Sequence, residues 1–403
     1  MKITILALGL AVLAASRPAR AAGTPITLGA AVQMTGAMAN TGRYYRDAYH
    51  LAVAQVNALG GVTVAGEKHP LALKLYDSQS DVNLGVRQYV ELLTEDKVNF
   101  LLGPFSSDDA LDDSSVAEKY RVPMVEGGGA SSQIFSRGYH DVFGTLPPAD
   151  DYFASTIEML GKLSPPAKTV ALVSADDAFD VAVAKGTRKL AHGAGLELVV
   201  DEQYPEDNAE FASILSRIAS KHPDVILWSG HEAQALNFIR EMKRLGVSPR
   251  GMASFTVGVP TADFRQALGA DADYAFGMTP WLPSSAQRDD WFGDGEKFAQ
   301  LYREKLGYAP DYHAASAVAD VETIVKAIEA AGSLDPEKVR DAIARTDFQS
   351  LYGRIHFNPG GQIALAQTVI QIQHGQVVPI YVQDFVHRPD YPVPGWSQRL
   401  AHK

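Results

Sequence analysis

Three stretches of this chain combine small and hydroxyl residues in a way that suits holding a small anion: residues 33–42, 103–107 and 126–132. Each follows a short apolar run and leads toward a segment of helical periodicity. In an open α/β sheet, ligands sit beyond the carboxyl ends of the strands. Backbone N–H groups at the start of the following helix favour a carboxylate there. Ser106, Ser107, Ser131 and Ser132 offer hydroxyl donors as well. The competing reading of each serine is a plain helix N-cap. Their shared place at strand ends is what points to binding.

Catalytic patterns fail one by one. His231-Glu232 begins like the HExxH zinc motif, but Ala235 stands where the second histidine belongs. There is no G-x-S-x-G elbow and no P-loop, and Gly127-Gly128-Gly129 lacks the spacing of a dinucleotide fingerprint. The 11 histidines are scattered, without the clustering of a metal site. With no cysteine, disulfides, zinc–thiolate centres and cysteine nucleophiles are excluded. Asp108, Asp109, Asp112 and Asp113 read as the first turns of a helix, where acids complement the dipole. The net charge of −11 argues against nucleic acid or anionic lipid as partner, since both require basic surface. The expectation is therefore a binding protein and not an enzyme, with no cofactor, metal or catalytic residue.

The elements that must position these loops alternate between strand and helix. Apolar runs at 26–32, 71–76, 100–102, 123–125 and 142–143 read as strands, separated by helical periodicity at 47–57 and 84–95. The pattern then restarts, with strands at 169–174, 196–200, 224–228 and 253–255. Between them lies a helix over 180–193. Two clean amphipathic stripes follow, Phe211, Ile214, Leu215, Ile218 and Ala219, then Ala235, Phe238, Ile239 and Met242. Alternation of this kind implies βαβ units and parallel sheets, and two successive sets imply two lobes. Residues 353–357 and 366–373, separated by Asn358-Pro359-Gly360-Gly361, read as an antiparallel hairpin. A further strand over 377–382 follows His374-Gly375-Gln376. Residues 387–403, with Pro389, Pro392 and Pro394, read as a loose tail.

The first 22 residues read as a cleaved secretory signal peptide. Lys2 precedes an apolar run from Ile3 to Ala15, and Ala19-Arg20-Ala21 supplies small residues before a cut near Ala21 or Ala22. The apolar run is shorter than the roughly 20 residues a membrane-spanning helix needs. An exported protein of this size without disulfides must rely on its core, which a chain of 403 residues is long enough to build. A bacterial periplasm fits that combination.

Over residues 26–383 the sequence resembles the periplasmic substrate-binding proteins of the leucine/isoleucine/valine type. The resemblance rests on segments in order: Gln33-Met34-Thr35-Gly36; Val56-Asn57-Ala58-Leu59-Gly60-Gly61-Val62; Tyr76-Asp77-Ser78; and Gly103-Pro104-Phe105-Ser106-Ser107. Val122-Pro123, Pro223-Asp224-Val225-Ile226 and Gly353-x-Ile355-x-Phe357 with Gly360-Gly361 continue the series. It implies an α/β fold of two doubly wound, parallel-sheet lobes joined by three crossings, opening and closing about a hinge. The lobes would comprise residues 26–147 with 279–350, and 148–278 with 351–385, leaving 386–403 as a C-terminal tail.

The resemblance also implies a solute-binding component of an ABC importer, acting as a monomer. Its partners would be a small ligand and a membrane permease–ATPase complex. A ligand sensor on the same fold is the alternative, and a secreted amidohydrolase a remote one. By position, the ligand contacts it implies are Thr41, Ser106, Ser107, Gly128, Gly129, Ala130 and Ser131 from the first lobe. From the second lobe they are Phe179, His231 and Thr256. Trp281, near a crossing, is expected as an apolar wall or else a core aromatic. The amino-acid binders place an acid in the second lobe for the ligand's ammonium, and residues 253–260 carry none. An unpartnered buried ammonium is costly. The expected ligand is thus a carboxylate, with an aromatic acid a candidate beside an amino acid, and with Glu126, Asp176 and Asp177 as acids elsewhere.

Overall fold

The computed structural model describes residues 23–401 apart from residue 209; the expected signal peptide lies outside the described residues. The strands expected in the first half form one parallel sheet. β1 (Ile26–Val32), β2 (Leu71–Asp77), β3 (Phe100–Leu102), β4 (Met124–Glu126) and β5 (Val142–Gly144) lie in the order β2-β1-β3-β4-β5. β3, β4 and β5 are buried throughout and β1 nearly so, as expected of strands covered on both faces. Helices α1 (Ala39–Ala58), α2 (Val82–Thr94) and α3 (Ser107–Tyr120) make the crossovers.

The second sheet contains β6 (Thr169–Ala175), β7 (Glu197–Tyr204), β8 (Val225–Ser229), β9 (Met252–Phe255), β10 (Phe276–Thr279), β11 (Thr368–Gln373) and β12 (Gln376–Tyr381). Their order is β12-β11-β10-β9-β8-β6-β7. β6 to β10 run parallel, and β11 and β12 close one edge antiparallel. Helices of this lobe include α4 (Ala178–Gly193), α5 (Glu232–Leu245) and α6 (Ala262–Leu268). After β10 the chain returns to the first lobe. There α7 (Tyr312–Ala331), buried almost all round, packs on α1 and β4.

Several motif residues bind loops to one another. Asn57 brackets the start of β2, donating to the Leu71 carbonyl and accepting from its amide, both at 2.8 Å. Asp77 accepts from the amides of Met34 and Thr35 at 3.0 and 3.1 Å and from the Thr35 hydroxyl at 2.8 Å. Gln33 pairs through its amide group with both backbone groups of Phe105.

Three expectations need correction. α1 begins at Ala39, well before residue 47. Tyr44 and Tyr45 extend its buried face, while the flanking Arg43 and Arg46 obscure the apolar period. Second, Arg354–His356 pairs with Asp347–Gln349, held by the Arg354–Asp347 ion pair, and not with 366–373. β11 instead joins β10, where the sheet edge satisfies its backbone groups. The expected turn at His374-Gly375 does join β11 to β12, with φ of 52° and 74°, the backbone a two-residue hairpin requires.

Third, the C-terminal segment is docked. Trp396 is buried and donates through Nε1 to the Val247 carbonyl at 3.0 Å, Val393 N–H bonds Gly251 at 2.7 Å, and Arg399 stacks over Trp396. Its prolines suppressed the helical and strand signals without preventing burial.

Candidate functional site

The loops following β3 and β4 face the second lobe across a closed cleft. Phe105, Ser106, Ser107, Gly128, Ala130 and His313 line one side of a small cavity of about 20 Å³. Phe179, His231 and Val257 line the other, with Leu146, Tyr152 and Tyr312 between them.

Local chemistry explains how the first-lobe wall is held. Ser106 caps α3 at φ 105°, ψ 173°, backbone that a non-glycine residue adopts only when its surroundings enforce it. Its hydroxyl donates to Asp109 at 2.8 Å. Ser107 Oγ accepts from the amides of Ala130 and Ser131, both at 3.1 Å, and so ties the two loops together. Glu126 Oε2 accepts from Gly128 and Gly129 at 2.9 and 2.6 Å. At Gly128 a Cβ would lie 2.1 Å from the Pro104 carbonyl oxygen, so only glycine allows this loop approach. The amides of residues 128–131, offered to a ligand by the sequence reading, are thus engaged by Glu126 and Ser107. Burial pushes the Glu126 carboxyl up to about 8, against the pull of the Gly129 and Gly128 amides.

Two histidines face this cavity, each backed by an aspartate. His313 Nδ1 lies 3.0 Å from Asp311 Oδ2, while its buried Nε2 has no hydrogen-bond partner among the described residues. The Asp311 carboxylate can only accept, so Nδ1 carries the proton and Nε2 is left to a ligand. Phe105 presents its ring edge-on to His313 at 5.4 Å and to His231 at 5.9 Å between centroids. His231 Nε2 stands 3.6 Å from Asp177 Oδ2, and its Nδ1 is likewise without a partner. Asp177 caps α4, its Oδ1 accepting from Phe179 and Asp180 at 2.9 and 3.0 Å. Burial opposes ionisation of Asp177, but His231 and these bonds outweigh it and hold the carboxyl below its usual range. The second lobe therefore does carry a buried acid beside the cavity, on β6–α4 and not on the 253–260 stretch.

The sequence-expected residues divide clearly. Ser106, Ser107, Gly128, Ala130, Phe179 and His231 meet around the cavity. Gly129 and Ser131 stand just behind that wall, through the Glu126 and Ser107 bonds. Thr256 is buried behind His231, its Oγ1 bonding both backbone groups of Gly230 at 3.3 Å, and its neighbour Val257 reaches the cavity. Thr41 sits in the first turn of α1 and is not among the lining residues. Trp281 is a core aromatic, bonded through Nε1 to Leu351 O at 3.0 Å and packed on Phe298. The sequence reading missed Phe105, Tyr152, Tyr312 and His313. For His313 a signal existed: Asp311 is a helix N-cap two residues ahead of it.

Comparison with known proteins agrees with this geometry. A family model described as periplasmic binding protein matches residues 25–376. A Leu/Ile/Val-binding protein homologue from Brucella suis is 27% identical over 392 residues, covering 92% of this chain and 94% of that protein. A branched-chain amino acid transporter substrate-binding protein from Streptococcus pneumoniae, solved with isoleucine, superposes with a TM-score of 0.77 at 22% identity, covering 88% and 97% of the two chains. An R. palustris ABC-transporter solute-binding protein, solved with benzoate, gives 0.76 at 18% identity, covering 91% and 98%.

Proposed function

The chain belongs to the periplasmic binding protein family, and we propose that it is the exported solute-binding component of an ABC importer, taking a small carboxylate-bearing ligand between its lobes. One observation carries the reading. The cavity is closed by residues of both lobes, is walled by the rings of Phe105, Tyr152, Phe179 and Tyr312, and holds the unpartnered Nε2 of His313. Aromatic walls with a few convergent polar groups are what a small organic ligand needs. The His313 ring, held through Nδ1 by Asp311, turns its other nitrogen toward a polar group of the ligand.

The two lobes in this reading are residues 26–147 with 279–350, and 148–278 with 351–385. Closure excludes water and lets contacts from both sides act together. The similar proteins include one solved with isoleucine and one with benzoate, so the ligand class spans amino acids and aromatic acids. The site binds and releases its solute unchanged, to a permease in the inner membrane.

Calorimetry on the mature chain with leucine, isoleucine, benzoate and hydroxybenzoates tests this. One compound is expected to bind one-to-one, with a smaller radius of gyration on binding. Absence of binding across carboxylates, or turnover of any of them, overturns it.

A further inference from the structure

Behind the second-lobe wall, two carboxylates and an imidazole converge without enough partners. Asp177, Asp180 and His231 each bring a ligand-capable atom within 4.8 Å of the others, and all three residues are buried. Asp177 Oδ2 and Asp180 Oδ2 have no hydrogen-bond partner among the described residues, and His231 turns Nε2 toward Asp177. The other halves of the carboxylates are fixed. Asp177 Oδ1 holds the α4 amides, and the Ser229 hydroxyl donates to Asp180 Oδ1. The fixed halves set the orientation of the free ones.

The charge around this cluster is one-sided. Asp108, reaching from α3 of the first lobe, accepts weakly from the Ala178 amide at 3.4 Å and repels Asp177. Glu206 also acts on both Asp177 and His231. A single imidazole thus faces four acids. Burial and the neighbouring Asp177 push the Asp180 carboxyl well above the usual range, so the two acids share one proton that a cation would displace.

The spacing suits a cation as well. His231 Nε2 and Asp177 Oδ2 are 3.6 Å apart, too far for a good hydrogen bond. It is close to the roughly 3.4 Å that separates two ligands of one tetrahedral ion with bonds of about 2.1 Å. A shift on the order of 1 Å brings Asp180 into the same shell.

We propose that Asp177, Asp180 and His231 form a divalent transition-cation site in the second lobe, adjoining the solute cavity. Two carboxylate oxygens and one imidazole nitrogen suit Zn²⁺ or Mn²⁺ and leave a coordination position open. Asp108 is the one acid supplied by the opposite lobe, so cation binding favours the closed state. Through the imidazole, the ion also fixes which nitrogen of His231 is free at the cavity wall.

The test titrates the full mature chain, freed of metal by EDTA and dialysis, with zinc chloride and manganese chloride. Binding is read by calorimetry and by metal analysis after equilibrium dialysis. The expected result is one ion per chain with a Kd below about 10 μM. The stoichiometry should be lost in both Asp180→Asn and His231→Gln and kept in His374→Gln, which alters a turn histidine remote from the cluster. Circular dichroism and a thermal melt report whether the variants are folded. The wild-type titration decides even if they are not: no stoichiometric binding to the wild type overturns the site. Equal binding to folded Asp180→Asn and His231→Gln variants overturns it too. Solute calorimetry in EDTA separates this inference from the solute reading. Solute binding without any cation binding leaves the solute reading standing and removes the cation site.

Discussion

Replacing Glu126 by glutamine tests whether burial, and not a charge partner, governs the loop behind the cavity. Glu126 is fully buried between β4 and the glycine turn, and burial raises its carboxyl from 4.5 to about 8. In the unfolded chain the group loses its proton near 4.5; in the folded chain it keeps it until about 8. Across that window the folded state holds more protons than the unfolded state, so its stability falls as pH rises, by up to about 1.4 kcal/mol per pH unit. The whole window amounts to at most about 5 kcal/mol. Glutamine does not titrate and still offers an oxygen to the Gly128 and Gly129 amides.

The stability of Glu126→Gln relative to wild type is therefore expected to rise by roughly 2–3 kcal/mol between about pH 5.5 and about pH 7.5. Urea unfolding followed by tryptophan fluorescence at several pH values measures it. Buried acids that do not feel Glu126, such as Glu322, titrate in both proteins and cancel in the difference. A difference that stays flat, or falls with pH, refutes the reasoning.

Three further outcomes are expected. His313→Ala lowers solute affinity by roughly 10–100-fold and also lowers the unfolding midpoint, because the buried ring packs on Tyr45, Phe105 and Tyr312 and pairs with Asp311; calorimetry on the folded variant and urea melts read the two separately. Arg43 on α1 pairs with Asp263 on α6 across the cleft and stacks on Tyr308 at 4.3 Å. Since both side chains are partly exposed, Asp263→Ala should weaken the closed form by only about 0.5–1 kcal/mol, seen as a 2- to 5-fold rise in solute Kd at low salt that shrinks at high salt. Trp396→Ala should destabilise the second lobe by about 2–4 kcal/mol in urea while leaving solute affinity unchanged, because the ring packs on the lobe's outer side near Val247 and Arg399.

How much of this was legible in the residues depended on the range of the interactions involved. β1 and β3 were readable to the residue because an apolar run flanked by turn residues needs no distant partner to declare itself. The place of Ser106 and Ser107 after a strand was readable, and both line the cavity. The role of Ser107 as a brace for Ala130 and Ser131 was not, because it spans 23 and 24 residues of chain.

The sequence by itself determined the two sets of alternating strands and helices, the acidic balance, the absence of thiol chemistry and the glycine- and serine-rich loops at strand ends. Each follows from composition or from a period of a few residues. Only the tertiary structure decided that β11 leaves its sequence neighbour for the edge of β10, and that the proline-rich terminus is packed down by Trp396. It alone brought Asp177, Asp180 and His231 together, and it alone set His313 opposite His231 across Phe105. Those arrangements depend on how two sheets and a returning helix lie against each other. No periodicity encodes that, since it is fixed by which buried surfaces and backbone groups find partners when the whole chain folds.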